Sequence, residues 1–265
     1  MLGTGFPTTG TVQFSIDGVN VGALVVLNAQ GRATYSTATL AAGSHNVIAT
    51  FGGTAVFASG ASATFVQVVN KAATTTTVTS TPNPSVFGQS VTFTGRVTPA
   101  AAGATGTIQF TVDGFPGVQL TPDATGRVTL VTTTLGIGAH IVTAAFIGSV
   151  NYLASASAPF THTVNKASSR TVVTTSLTPA TRPAPVTFTA TVTAVAPGAG
   201  ARTGNVAFYI DGVVKFTTAL TASGVATYPT TSTAIGVGLH TVAAVYAGDG
   251  NFNASTSANI NQRIR

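Results

Sequence analysis

Thr107–Gly114 reads TIQFTVDG, and near copies stand at Thr11–Gly18, TVQFSIDG, and Asn205–Gly212, NVAFYIDG. In the middle copy Ile108, Phe110 and Val112 fall on one face, and Thr107, Gln109 and Thr111 on the other. That is the period-two alternation of a half-buried strand. The Asp-Gly closing each copy is a two-residue hairpin signal. The first residues of the copies stand 96 and 98 residues apart, close to the size of a two-sheet sandwich that buries its own core and larger than a solenoid repeat of about 20 to 50 residues. Repetition therefore sets the organisation of the 265 residues.

Composition agrees with a β protein. Charged residues are 6% of the chain, against about 25% in an average soluble protein; Thr, Ser, Ala, Val and Gly fill the gap. With 44% apolar residues, the chain is too hydrophobic for disorder. No apolar run reaches the roughly 18 residues of a spanning helix, so no membrane insertion is expected. The net charge is +6, but Arg32, Arg96, Arg127, Arg170, Arg182, Arg202 and Lys215 are scattered. A nucleic-acid surface needs them clustered, which argues against that partner. Cysteine is absent, which fits a secreted bacterial protein independent of oxidative folding and fits a cytosolic protein as well. The opening MLGTGFPTTG has no basic stretch followed by an apolar core, so no secretory signal is visible in it.

Along the chain, residues 71–165 read as seven strands: Thr74–Ser80, Gln89–Val97, Thr107–Asp113, Val118–Leu120, Gly126–Thr133, His140–Phe146 and Ser157–Val164. Turn signals separate them and no helical period intervenes, which indicates an antiparallel sandwich. In the second strand Val91, Phe93 and Val97 point inward; Thr92, Thr94 and Arg96 point outward. Residues 166–265 repeat the plan, with Val186, Phe188 and Val192 inward. KAATTTTVTSTPNPSVFGQSVTFTGRV, GTIQFTVDG and GIGAHIVTAAFIGSVNYLASASAPFTHTV resemble the bacterial Ig-like tandem repeat of group 3, and the likeness is strongest at GLHTVAAVYAGDGNFNASTS. The first two copies lack the Gly248-Asp249 pair of that last stretch.

The resemblance implies an all-β chain of tandem immunoglobulin-like sandwiches, two complete and one truncated, used outside the cell as a stalk, spacer or adhesion module. Residues 1–70 are the partial copy, because Met1 aligns with Val97 and the two opening strands have no counterpart. Losing the second strand removes about three inward side chains, each worth roughly 1.5 to 3 kcal/mol, which rivals a domain's net stability. Truncation by the gene boundary is one reading, and completion by a strand from another chain is a bolder one.

The chemistry-bearing residues are few. Glutamate and tryptophan are absent. Asp17, Asp113 and Asp211 are turn residues of different copies, and His45, His140 and His240 share one position in the three copies, so neither set can converge on a dyad, a triad or a metal. His140 falls on the face of Val142, Ala144 and Phe146, which reads as a latch at the mouth of the core. Asp249 with Asn251 and Asn253 is the only acid and amide cluster, short of the six to eight oxygens calcium needs. Lys71 and Lys166 open two copies, and a lysine–asparagine isopeptide link would join opposite ends of a sandwich. In the third copy Tyr209 and Tyr228 are the aromatics that could stack on a sugar, although single exposed aromatics are ordinary on a protein surface. No catalytic residue, metal ligand or cofactor site is assigned. The expected role is a non-catalytic spacer or adhesion segment, extracellular or on the cell surface, whose partners are neighbouring domains of a larger protein. The competing reading is a module that binds carbohydrate or a surface polymer.

Overall fold

A computed structural model describes residues 5–103 and 105–265; Met1 and its alignment with Val97 lie outside the described residues. The first unit holds β1 (Thr11–Ile16), β2 (Val19–Val26), β3 (Gly43–Phe51), β4 (Gly60–Ala61) and β5 (Phe65–Val69). They form one sheet in the order β2-β1-β3-β4, with β5 also on β3.

The second unit contains β6 (Thr75–Thr81), β7 (Ser85–Val86), β8 (Val91–Thr98), the short α1 (Ala100–Gly103), β9 (Ile108–Val112), β10 (Phe115–Leu120), β11 (Arg127–Thr132), β12 (Gly138–Phe146), β13 (Ser155–Ala156) and β14 (Phe160–Asn165). Here there are two sheets: β11-β8-β6 faces β10-β9-β12-β14-β7, with β13 on β12. The third unit repeats them with β15 (Ser169–Thr175), β16 (Pro185–Ala194), β17 (Asn205–Ile210), β18 (Val213–Ala219), β19 (Val225–Thr231), α2 (Ser232–Ile235), β20 (Gly238–Tyr246), β21 (Ser255–Thr256) and β22 (Ile260–Ile264). Its sheets are β15-β16-β19 and β18-β17-β20-β21, with β22 on β20.

Each expected strand of the second unit is present, and two differences have physical causes. β10 begins at Phe115 rather than Val118 and includes Pro116, which is tolerated because this is an edge strand whose register slips between Pro116 and Gln119. The two-residue β7 and β13 are too short to alternate and leave no sequence pattern.

The cores follow the alternation. Val91, Phe93 and Val97 of β8 meet Ile108 and Phe110 of β9 and Val142, Ala144 and Phe146 of β12, each 1% exposed or less. In the third unit Val186, Phe188, Ala190 and Val192 close on Val206, Phe208, Val242, Ala244 and Tyr246, all fully buried. Burying each such aliphatic or aromatic side chain is worth roughly 1.5 to 3 kcal/mol, which is what holds the two sheets together. Not every threonine of the opening strands faces water: Thr76 and Thr171 are 4% exposed and share hydroxyl hydrogen bonds of 2.7 Å with Ser155 and Ser255 across the sandwich.

The Asp-Gly pairs form the tight hairpins. Asp17, Asp113 and Asp211 have φ of 51°, 51° and 52°, and the following glycines have φ of 82°, 82° and 76°. Two left-handed residues in succession suit the right-handed twist of the flanking strands. Ile16 thus pairs with Val19, Val112 with Phe115 and Ile210 with Val213.

Candidate functional site

The histidines and turn aspartates meet, but only within units. The carboxylate Oδ2 of Asp113 lies 2.7 Å from His140 Nδ1, and its Oδ1 accepts the Ile141 amide at 2.8 Å. His140 Nε2 lies 2.9 Å from the Gly136 carbonyl. A carbonyl can only accept, so Nε2 donates; with the carboxylate ionised, Nδ1 donates as well, and the ring is an imidazolium. Asp17 and His45 repeat the arrangement at 2.7 Å, with His45 Nε2 donating to Ala41 O at 2.9 Å. In the third unit Asp211 holds His240 Nδ1 at 2.7 Å, but His240 Nε2 is buried without a partner among the described residues.

These contacts set the charges. The hydrogen bond from His140, and then that from the Ile141 amide, lower the Asp113 carboxyl. Burial works against a charged His140, but the bonds to Asp113 and Gly136 outweigh it and raise the imidazole. Each pair ties a hairpin to the first residues of the strand that crosses beside it, a few residues from the core. The His140 side chain is 14% exposed and that of Asp113 42%, so the pair pins the hairpin at the edge of the core.

For stability the signs are fixed. The raised imidazole contributes fully below its ordinary 6.5 and is lost as pH rises through the folded value. The lowered Asp113 contributes above 3.8 and is lost as pH falls. A His140→Ala substitution should therefore destabilise the second unit by about 1.5 to 3 kcal/mol, the range for hydrogen bonds to charged groups. The deficit should be largest between about pH 4 and 6.5, the interval between the ordinary carboxylate and imidazole values. Calorimetric melting across that range measures it, and an unchanged transition would remove the pin from the account.

Asp249 behaves differently from a solvated loop residue. Oδ2 accepts the Thr203 amide at 2.7 Å and its hydroxyl at 2.8 Å; Oδ1 accepts the amides of Asn251 and Phe252, both at 2.7 Å. Burial opposes ionisation, yet these bonds hold the carboxyl at about 2. Burial and the Asp249 charge push the neighbouring Tyr246 phenol up to about 12, and among the described residues its buried hydroxyl has no hydrogen-bonding partner. Asn251 and Asn253 contribute backbone groups to Ala167 at 2.9 Å. The cluster is the clasp of a turn.

Of the two candidate sugar platforms, Tyr228 stacks on Phe216 at 4.9 Å, with Phe208 and Phe188 at 5.9 and 6.1 Å. Its faces are taken inside the molecule. Tyr209 lies on the outward face beside Thr241 and Ala243. Lys71 Nζ donates to the Ser149 carbonyl at 2.7 Å and Lys166 Nζ to the Asp249 carbonyl at 2.5 Å, so both lysines engage carbonyls of their own unit. Among the described residues no three acidic, histidine or cysteine side chains come together as a metal would require, and no helix is long and apolar enough to cross a membrane.

Two features had no reading in the sequence. His162 is fully buried, with Nδ1 and Nε2 each 2.9 Å from Ser80 and Ser85 hydroxyls and its ring edge-on to Phe93. Burial, then the His140 charge, lowers it. The equivalent positions carry Gln67 and Gln262. The other is the junction between the second and third units. β14 pairs with β7 in parallel, the Phe87 amide donates to Asn165 O at 2.9 Å, and the Ala199 amide donates to Phe87 O at 3.2 Å. The Phe87 ring meets Phe252 edge-on at 5.8 Å, so Val86 and Phe87 of one unit pack against the core of the next. At the first junction the Ala42 amide donates to Asn151 Oδ1 at 2.8 Å, and a groove of about 300 Å³ beside Leu40, Val69 and Tyr152 stands without such a plug.

A family model described as the bacterial Ig-like domain (group 3) matches residues 2–70, 78–165 and 173–265. No curated protein matches the sequence. Among solved structures, the fibronectin(III)-like modules of Clostridium thermocellum CbhA are 16% identical with a TM-score of 0.28, over 71% of this chain and 92% of theirs. The Yersinia pseudotuberculosis adhesin InvE is 17% identical with a TM-score of 0.33, over 71% of this chain and 58% of its own. Likeness at that level says nothing about activity.

Proposed function

Because the chain belongs to the bacterial Ig-like domain (group 3) family, we propose that it is a non-catalytic spacer or adhesion segment of a larger bacterial protein, placed at the cell surface or outside the cell. Residues 1–70 are taken as an Ig-like unit lacking its first two strands, residues 71–165 and 166–265 as complete ones. One observation carries the reading: all five aspartates and four histidines of the chain are hydrogen-bonded within their own unit. Among the described residues three such groups come near one another only in the second unit, where His162 lies across from the Asp113–His140 pair, and there His162 is buried with both ring nitrogens on serine hydroxyls. The plugged second junction supports a mechanical role, since it limits bending between two units. Its partners are then the neighbouring domains of the same protein.

The competing role is capture of a glycan or cell-wall polymer. Screening the chain against a glycan array and isolated surface polymers should return no specific binder. A ligand whose binding is lost on Tyr209→Ala would instead establish the binding-module reading.

A further inference from the structure

A buried basic group stands directly behind the plug of the second junction. His162 on β14 is fully buried, and Ser85 on β7 is 1% exposed. The ring nitrogens Nδ1 and Nε2 lie 2.9 Å from the Ser80 and Ser85 hydroxyls, and Phe93 packs edge-on to the ring at 5.5 Å. A neutral imidazole suits this place, since one nitrogen donates to a hydroxyl while the other accepts from one. An imidazolium here would be a buried charge with no carboxylate against it, which is costly.

The charged groups around the ring strengthen that preference. β6 and β7 bring serine to it, and β8 brings Phe93, with Arg96 exposed on the opposite face. Lys166, just beyond β14, turns to the Asp249 carbonyl. β12 brings His140, which pairs with His162 across the strands and is held as an imidazolium by Asp113 and the Gly136 carbonyl. The Asp113 carboxylate is already committed to His140 and the Ile141 amide. Burial, then the His140 charge, accordingly lowers His162. The sign is opposite to that of His140: the neutral ring fits its place above the ordinary 6.5, and the place turns unfavourable as pH falls below that value.

Which side yields depends on how firmly each serine is held. β6 pairs with β8 along seven residues, so moving Ser80 breaks a full ladder. β7 has only the parallel pairs Val164↔Ser85 and Asn165↔Val86. Phe87 follows it directly, with its amide on Asn165 O at 2.9 Å and its ring against Phe252 at 5.8 Å. Whatever lifts Ser85 therefore pulls on Phe87. We infer that the second unit carries an acid-operated release of its junction with the third: protonation of His162 frees β7 from β14 and withdraws Phe87 from Phe252. The third unit fills the same place without a titrating group. Gln262 is fully buried, accepts from Thr175 Oγ1 at 2.7 Å and donates to Leu177 O at 2.9 Å. His162→Gln is thus a change the fold already accommodates at the equivalent position.

The test reads hydrogen exchange at the Phe87 and Ala199 amides of the 265-residue protein, corrected for intrinsic rate, at about pH 7.5 and about pH 5, on either side of the ordinary histidine value. Protection at both amides should fall at least about threefold on acidification, while the core amides of β8 and β16 keep theirs. An NMR titration of the His162 ring should show the same midpoint. In His162→Gln, protection should be equal at the two pH values. Unchanged protection in the unaltered protein, or a fall that persists in His162→Gln, overturns the inference. So does loss of protection throughout the second unit, which would be acid unfolding rather than release. If His162→Gln fails to fold, the titration decides: a ring that gains its proton with Phe87 still protected, or protection lost while the ring stays neutral, overturns it. The inference concerns the junction alone, so its failure leaves the spacer reading standing.

Discussion

A Gly88→Val substitution is expected to uncouple the second and third units without unfolding either. Gly88 has a φ of +75°, and a Cβ built on it would overlap the backbone of Ala199, whose carbonyl, carbon and amide nitrogen all stand in the way. Backbone cannot rotate aside as a flexible side chain would, and a β-branched residue in the left-handed region adds strain of its own. The chain can relieve both only by withdrawing the loop that carries Phe87. That move gives up the Phe87–Phe252 contact and the bond from the Ala199 amide; with Phe87 only partly buried, the ring contributes a fraction of the roughly 1.5 to 3 kcal/mol that full burial is worth. Hydrogen exchange should show loss of protection at Phe87 and Ala199, with the core amides of β8 and β16 unchanged. Retained protection at both positions would mean that the junction does not depend on this close approach.

The second large effect is at Asp249. Its carboxyl is held at about 2 against an ordinary 3.8, which corresponds to about 2 kcal/mol of stability at neutral pH. Because the folded value is depressed, the contribution is complete above pH 3.8 and disappears as pH falls toward 2. Asp249→Ala should lower the melting temperature of the third unit by roughly 8 to 16 °C at pH 7, taking about 4 to 8 °C per kcal/mol for a domain of this size. The gap should narrow on acidification to pH 2. The other copies bear on the magnitude: Thr54 stands at this place in the first unit and caps Val56 and Phe57 at 3.3 and 3.1 Å, without a charge. Asp249→Thr should accordingly recover part of the loss. An Asp249→Ala variant that melts like the parent at pH 7 would show the four bonds to be replaceable by water.

Both effects bear on what a sequence exposes. The strands of the sandwich were legible because burial of one face imposes a period of two, and the hairpins because only Asp-Gly and similar pairs accept two left-handed residues in succession. The pins were half legible. The aspartates and histidines each recur once per copy, and their separations of 28, 27 and 29 residues are nearly constant. That constancy signals contact, but reading it requires the pairing of β9 with β12, which no local pattern displays. His162 gave no sign of its burial, because the other copies carry glutamine there, and the alternation marks which face it occupies without saying that serine hydroxyls await it. The junction was least legible. Val86, Phe87 and Gly88 look like an ordinary turn, and their role depends on a unit that begins some eighty residues later.

The central claim is that the three units stand in series rather than folded against one another, so that their pins and clasps never share a cavity. Small-angle scattering from the monomer tests it most directly. Strands of nine residues, such as β12, span about 30 Å, so three units in line make a rod of about 100 Å with a radius of gyration of about 30 Å. A single compact body of 265 residues would have a radius of gyration of about 18 Å. The account predicts the larger value with a rod-like profile; a value near 18 Å would contradict it.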